Sequence, residues 1–263
     1  RFYVEPVTSL KIKRLAREED VTLFMYLLAA YNIFLSKLSN QDTVIVGSPI
    51  AGRTHNDLHD IIGLFINTLV LRNQPFGDRV FPEFLQEVRE ICLDAFEKQL
   101  FHYEALMDRV GGGIETAGNP LFSVMFVLQN MELPEVEFPG LKVTRDLRDS
   151  STSKFDLTLY CEEKQGDDGL YFKLEYSTAL FKAGTVRRFA GYFQRILSQL
   201  VETPKIKIGN IQVISSEEKK QILEAFNEND TAFRSDRMVF QLFEDQVRKT
   251  PQSTAVIKVC CHV

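Results

Sequence analysis

The stretch "VTLFMYLLAAYNIFL", residues 21–35, is apolar around most of its circumference when wound as a helix, and it constrains this chain more than any other feature. A helix without a polar face must be covered on every side, by a protein core or by a membrane. Tyr26, Tyr31 and Asn32 interrupt the run, and it is shorter than the roughly 20 residues a spanning helix needs. It is therefore expected to be a core helix, with Thr22 near its start and the charge-dense "SLKIKRLAREED" laid over it as a surface helix. A chain of 263 residues with 44% hydrophobic content has the material for that cover.

Other segments supply a sheet and further helices. "TVIVGSPIA" at 43–51 is a β-branched run that Gly47 and Pro49 are expected to end, and the polar loop "GRTHNDLHD" follows. "IIGLFINTLVLR" at 61–72 reads as a buried strand interrupted at Asn67. Apolar residues at 81, 84, 85, 88, 92, 95 and 96 recur at three-four spacing, which predicts an amphipathic helix from Phe81 to Phe101, with a shorter helix "YEALMDRV" after it. "LFSVMFVLQN" at 121–130 has the composition of a central strand. "KFDLTLYCEE" and "LYFKLEYST" alternate apolar and polar around "KQGDDG", the pattern of a hairpin with one wet face. "FKAGTVRRFAGYFQRILSQLVE" at 181–202 is a long amphipathic helix with Phe189, Phe193, Ile196, Leu197 and Leu200 on one side. Helices and strands mix without strict alternation, so the expected class is α/β, a mixed β-sheet with packed helices.

The texture changes near residue 205. "IGNIQVISSEEKKQILEAFNENDTAF" reads as a short strand, a charged helix and a polar loop leaving the domain. "MVFQLFEDQVRKTPQSTAVI" then begins a helix and strand with too little chain left for a core of their own. The expected division is a compact unit at 1–205, a linker at 206–235 and the start of another domain at 236–263. The chain begins with Arg1 rather than Met and is expected to be cut from something longer.

A formal charge of −5 and a pI near 5.5 give no sequence-wide reason to expect nucleic acid or an anionic membrane as partner, and neither is expected. Cys92, Cys161, Cys260 and Cys261 show no disulfide-framework spacing, which fits a reducing cytoplasm, and no signal peptide is evident. His55 and His59 are four apart and would share one face of a helix, but no third ligand is close in sequence. Cys260, Cys261 and His262 read as a frayed or artificial chain end, so no metal is expected. His102 has no Ser or Cys partner in a local motif, so nucleophilic catalysis is unsupported.

Several ordered runs, "VGSPIAGR", "IIGLFINTLVLR", "GNPLFSVMFVLQNME", "FPGLKV", "SKFDLTLY" and "LEYSTALF", resemble the carboxy-terminal half of the condensation domains of nonribosomal peptide synthetases. "LFEDQVRKTPQSTAVI" resembles the opening of an adenylation domain, the usual neighbour in such assembly lines. The resemblance implies a chloramphenicol-acetyltransferase-like fold, with two similar α/β lobes and an active-site tunnel between them. It also implies a catalytic HHxxxDG signature on the amino-terminal lobe, and these 263 residues do not contain it. The expectation is a second lobe without the catalytic one.

The match has departures. Where the family has HQDxPFE this chain has "KQLFHYE", keeping Gln99 and Glu104 but placing Lys98, Leu100 and His102 where His, Asp and Pro are usual. Where the family has RDxSRNPL it has "IETAGNPL", retaining Asn119, Pro120 and Leu121, with a conservative Glu115.

An Asn in a buried run needs partners for both ends of its amide, because leaving them unpaired costs about 1–3 kcal/mol. Asn67 is thus either a core amide tying adjacent strands together, the commoner arrangement, or, as the resemblance implies, an amide lining the tunnel near the acceptor substrate. Ser123 is likewise either a packed strand serine or, by resemblance, a tunnel hydroxyl able to donate to a developing oxyanion. Gly63, Phe65 and Arg72 share the Asn67 run: Gly63 is expected to free the backbone to turn into the strand, and Arg72 to sit at its wet end.

The resemblance implies amide formation, in which the amine of a carrier-bound aminoacyl thioester attacks an upstream peptidyl thioester. Both would arrive on phosphopantetheine arms of peptidyl carrier domains, so no cofactor is expected to bind this chain directly. The adenylation domain and the missing amino-terminal lobe are the other expected partners. The chain alone is expected to be inactive, and the exposed lobe-facing surface to favour self-association. An epimerization domain shares the fold, but "FINTLVLR" fits it poorly. A noncatalytic carrier-docking module is the alternative of another class, and the adenylation-like tail argues against a stand-alone acetyltransferase.

Overall fold

The apolar run folds as helix α2, Leu23–Ser39, and Thr22 caps it by accepting from the Met25 backbone N–H at 3.2 Å. The structure, a computed structural model, describes residues 1–58, 60–110, 119–129, 152–164, 166–228 and 238–254. Helix α1, Pro6–Glu18, places Pro in its first turn, where the missing N–H removes no helical bond, and buries Ser9, Ile12, Leu15 and Ala16. The full apolar circumference of α2 is explained by its neighbours. Tyr26 meets Phe81 edge-on in helix α3 (Phe81–Glu97), Tyr31 meets Phe193 edge-on in helix α5 (Ala183–Glu202), and Tyr31 also meets Phe126 of the sheet.

The sheet has six strands among the described residues: β1 Phe2–Val4, β2 Val44–Ile50, β3 Asn67–Asn73, β4 Val124–Gln129, β5 Leu157–Lys164 and β6 Asp167–Tyr176. Their order is β1-β6-β5-β4-β2-β3. The β2–β4 and β4–β5 pairs are parallel and the other three antiparallel, so the sheet is mixed as expected. Parallel pairing of β2 with β4 rests on one register position, Gly47 opposite Met125, and the buried Ser48 hydroxyl adds a bond to the Phe126 carbonyl at 2.9 Å.

Several expectations are corrected. Residues 61–66 are not strand: Ile62 is fully exposed and Leu64 is 90% exposed, and pairing with β2 begins at Asn67. The preceding chain turns away at Gly52 (φ 66°), and the Arg53 guanidinium donates to the Ile61 carbonyl at 2.9 Å. Gly47 and Pro49 do not end β2, which continues to Ile50 with Pro49 opposite Thr68. Helix α3 stops at Glu97 rather than Phe101.

The hairpin turn is also tighter than expected, because Asp167, Asp168 and Gly169 belong to β6. Asp167 accepts from the Tyr3 hydroxyl at 2.8 Å and the Tyr171 hydroxyl at 2.5 Å, which secures the short edge strand β1 that periodicity alone does not reveal.

Residues 206–214 form no strand. They carry a short 3-10 turn at Ile208–Asn210, and Ile208 and Ile211 are buried. Gln199 of α5 brackets Gln212, accepting from its N–H at 2.9 Å and donating to its carbonyl at 2.7 Å. The compact unit therefore runs past residue 205 to Ile214. A second unit, Ser215–Val263, holds helix α6, Ser216–Leu223, capped by Ser215 on the Glu218 N–H at 3.0 Å, and helix α7, Val239–Lys249. Met238, Val239, Phe240 and Phe243 are exposed. The strand expected after α7, the run "FPGLKV", His59, Cys260, Cys261 and His262 lie outside the described residues. Among the described residues no single helix is long and apolar enough to cross a membrane.

Candidate functional site

Asn67 is the first residue of β3, 9% exposed, and every polar function of its side chain is used. Its Nδ2 donates to the carbonyls of Gln99 at 2.7 Å and Phe101 at 2.9 Å. Its Oδ1 accepts from the Thr68 N–H at 2.8 Å and the Tyr103 N–H at 3.2 Å. An amide has two donors and one acceptor oxygen, and this geometry satisfies all of them. Asn67 therefore does not tie adjacent strands together. It ties the start of β3 to the loop between α3 and helix α4, Tyr103–Val110, and orders the first turn of that helix.

The same knot extends to β4. The Tyr103 hydroxyl donates to Asn119 Oδ1 at 2.5 Å, and that oxygen also accepts from the backbone N–H groups of Leu121 at 3.1 Å and Phe122 at 3.3 Å. The Tyr103 ring meets Phe122 edge-on at 5.7 Å, and Phe122 stacks on Phe155 at 5.4 Å. Burial lifts the Tyr103 phenol above its ordinary pKa and the neighbouring Glu104 carboxylate adds to that rise, while the contact with Asn119 offsets part of it.

Ser123 follows directly and precedes β4 rather than lying within it. Its side chain is exposed, which overturns the packed-serine expectation, while its carbonyl accepts from the Asp156 N–H at 2.9 Å.

Of the other family-motif positions, Gln99 is joined to the knot through its carbonyl, and Glu104 sits exposed in the first turn of α4. Gly63 and Phe65 lie in the loop just before β3, with the Arg53 guanidinium 4.3 Å over the Phe65 ring. Gly63 does not adopt a left-handed backbone and does not lead into the strand; a Cβ there would lie 3.2 Å from the Phe65 ring. Arg72 is exposed near the far end of β3, opposite Ile45.

Asn67, Gln99 and Asn119 are thus brought together, and Arg72 is not. Tyr103 joins them, although sequence reasoning does not single it out. The available signal is a hydroxyl on a helix start, facing a retained Asn just ahead of a strand. The His55 imidazole is exposed beside Asp57 at 3.3 Å, and among the described residues no group of three His, Cys, Asp or Glu side chains is placed to hold a metal ion. The knot presents hydrogen-bonding amides and hydroxyls, with no nucleophile and base in contact.

A protein-family model described as "Condensation domain" matches residues 1–223. Bacitracin synthase 3 of Bacillus licheniformis is 40% identical over 256 residues, covering 97% of this chain, and gramicidin S synthase 2 of Brevibacillus brevis is 42% identical over 248 residues, covering 94% of it. The chain spans 4% and 6% of the lengths of these two relatives. A four-domain nonribosomal peptide synthetase, solved with AMP and glycine, superposes with a TM-score of 0.76 at 23% identity over 94% of this chain and 20% of its own. The first condensation domain of the calcium-dependent antibiotic synthetase superposes with a TM-score of 0.65 at 20% identity, over 81% of this chain and 47% of its own.

Proposed function

The chain belongs to the condensation-domain family of nonribosomal peptide synthetases, and on that premise we propose that its compact unit is the carboxy-terminal lobe of a condensation domain acting in amide-bond formation. The observation that carries this reading is the family match over residues 1–223, which includes every residue of the Asn67 knot. The lobe assignment draws support from coverage: 81% of this chain overlays 47% of a whole condensation domain, close to half of a two-lobed fold.

In the proposed reaction, the amine of an aminoacyl thioester on a downstream carrier attacks the carbonyl carbon of an upstream peptidyl thioester. An amide bond forms, the carbon–sulfur bond breaks, and the upstream phosphopantetheine leaves as a free thiol. Both arms belong to partner carrier domains. Asn67 contributes by holding the 99–103 loop and the start of α4 in place, since its own hydrogen bonds are committed. Ser123, exposed just before β4, is the proposed tunnel residue able to donate to the developing oxyanion.

No HHxxxDG run occurs in these 263 residues, so the chain by itself is proposed to be inactive and to need an amino-terminal lobe. The residues from 236 onward are proposed as the start of an adenylation domain, with the segment after Ile214 as the linker. A cytoplasmic setting fits the two buried free thiols, Cys92 and Cys161.

The test is reconstitution. The purified chain is mixed with an amino-terminal lobe and two loaded carrier domains, and intact-mass spectrometry follows the dipeptidyl thioester. Product with both lobes and none with this chain alone supports the reading. Product from this chain alone refutes the division of labour, and specific carrier binding without turnover in the two-lobe mixture assigns a docking module instead.

A further inference from the structure

Tyr103 is joined at both of its ends. Its backbone N–H donates to Asn67 Oδ1 at 3.2 Å, which fixes it to the start of β3. Its hydroxyl donates to Asn119 Oδ1 at 2.5 Å, which fixes it to the segment leading into β4. The Leu121 and Phe122 amides, at 3.1 and 3.3 Å from the same oxygen, determine which end of the Asn119 amide faces the phenol, because an NH₂ group there would oppose two N–H groups.

Position 103 is Tyr where the HQDxPFE pattern has Phe, while Asn119 is retained from RDxSRNPL. The ring packing against Phe122 is available to either aromatic, but the bond to Asn119 requires the hydroxyl. This chain therefore carries one more polar connection between β3 and β4 than the ring alone supplies. The two strands are not adjacent in the sheet, since β2 lies between them, so the side-chain route spans a strand that holds β4 by a single register position.

We infer that Tyr103 is a positioning residue: acting through Asn119, its hydroxyl fixes residues 119–123, and with them the exposed Ser123, relative to the Asn67 end of β3. The contribution to chemistry rests on the condensation-domain reading of Ser123, while the mechanical coupling does not. A hydroxyl that must meet a developing oxyanion needs its backbone held to a fraction of an ångström, and small misplacements lower turnover far more than they weaken binding. Asn119 by itself orders only its own turn. The phenol is what relates that turn to the α4 start and to Asn67.

The test compares Tyr103→Phe, Asn119→Ala, Asn119→Asp and the Tyr103→Phe/Asn119→Ala double variant in the full chain by amide hydrogen exchange. Tyr103→Phe keeps the ring and the fold. The expected result is exchange about tenfold faster at Leu121 and Phe122, equivalent to about 1.4 kcal/mol, with Thr68 unchanged. Asn119→Ala, which also removes the acceptor of both amides, is expected to exceed it, the double variant to add little to Asn119→Ala, and Asn119→Asp, which keeps the acceptor oxygen, to preserve protection. Unchanged exchange at 121 and 122 in Tyr103→Phe, or an equal loss of protection across the whole sheet, overturns the inference. A turnover assay in the two-lobe mixture separates the two levels. If wild type turns over, Tyr103→Phe is expected to lower kcat severalfold with the acceptor KM held, and a rise in KM alone counts against positioning. If wild type gives no product, the functional reading falls, and the exchange pattern still decides the coupling.

Discussion

Gly47 and Phe122 occupy one space: a Cβ on Gly47 would lie 2.2 Å from the Phe122 ring. The ring fills the place of a side chain on β2 at the position where β2 meets β4. Gly47→Ala is expected to destabilise the compact unit by about 1–3 kcal/mol through overpacking, read as a lower urea midpoint. Phe122→Leu in the same chain should recover part of that loss, because the two positions share a contact. A wild-type midpoint for Gly47→Ala would mean that the ring does not hold that space.

Asn67→Ala leaves the Gln99 and Phe101 carbonyls and the Tyr103 N–H without their partner, and is expected to cost about 2–4 kcal/mol. Asn67→Asp tests the polarity. A carboxylate can still accept from Thr68 and Tyr103, but it turns a negative charge toward two carbonyl oxygens, so folding raises its pKa. A group with a raised folded pKa stabilises below its unfolded value and loses that contribution as pH rises. The variant should therefore be more stable in mild acid than at neutral pH, relative to wild type, and a flat difference across that range would contradict the assigned donors.

The Tyr3 phenol is pushed up to about 12, chiefly by its hydrogen bond to Asp167, with burial adding to it. The unfolded value is near 10, so this bond stabilises fully below about pH 10, and the contribution is lost as pH rises toward 12. Tyr3→Phe should make alkaline unfolding shallower over that window and leave Phe2 pairing with Phe172. Ultraviolet difference titration that finds the native tyrosine ionising at its ordinary value would remove the basis for this expectation.

Ile62 and Leu64 look like core residues in the sequence and are exposed in the fold. Ile62→Ser and Leu64→Ser are expected to change unfolding free energy by less than about 0.5 kcal/mol, as surface positions do. The pair should also reduce concentration-dependent association in sedimentation, since an apolar patch is removed. A loss of several kcal/mol in either single variant would place residues 61–66 in the core after all.

The sequence by itself determined the elements whose side chains repeat one physical pattern. The circumference of α2, the three-four spacing of α3 and α5 and the alternation of β5 and β6 each report a surface that must be covered, and the fold covers them. It also carried the family, whose model matches residues 1–223.

What only the tertiary structure decided is which apolar run finds a partner. "IIGLFI" and "NTLVLR" both read as parts of one strand, yet only the second pairs with β2, which ends at Ile50, while the first lies against the Gly52 turn and is held by the Arg53 bond to Ile61. β1 was invisible for the converse reason: three residues carry no period, and its place depends on Tyr3 reaching Asp167, 164 positions later. The role of Asn67 was open for the same cause. An amide announces its need for partners in the sequence, but whether they are strands, substrate or, as here, the carbonyls of a loop 32 and 34 positions away is fixed by where the chain folds back.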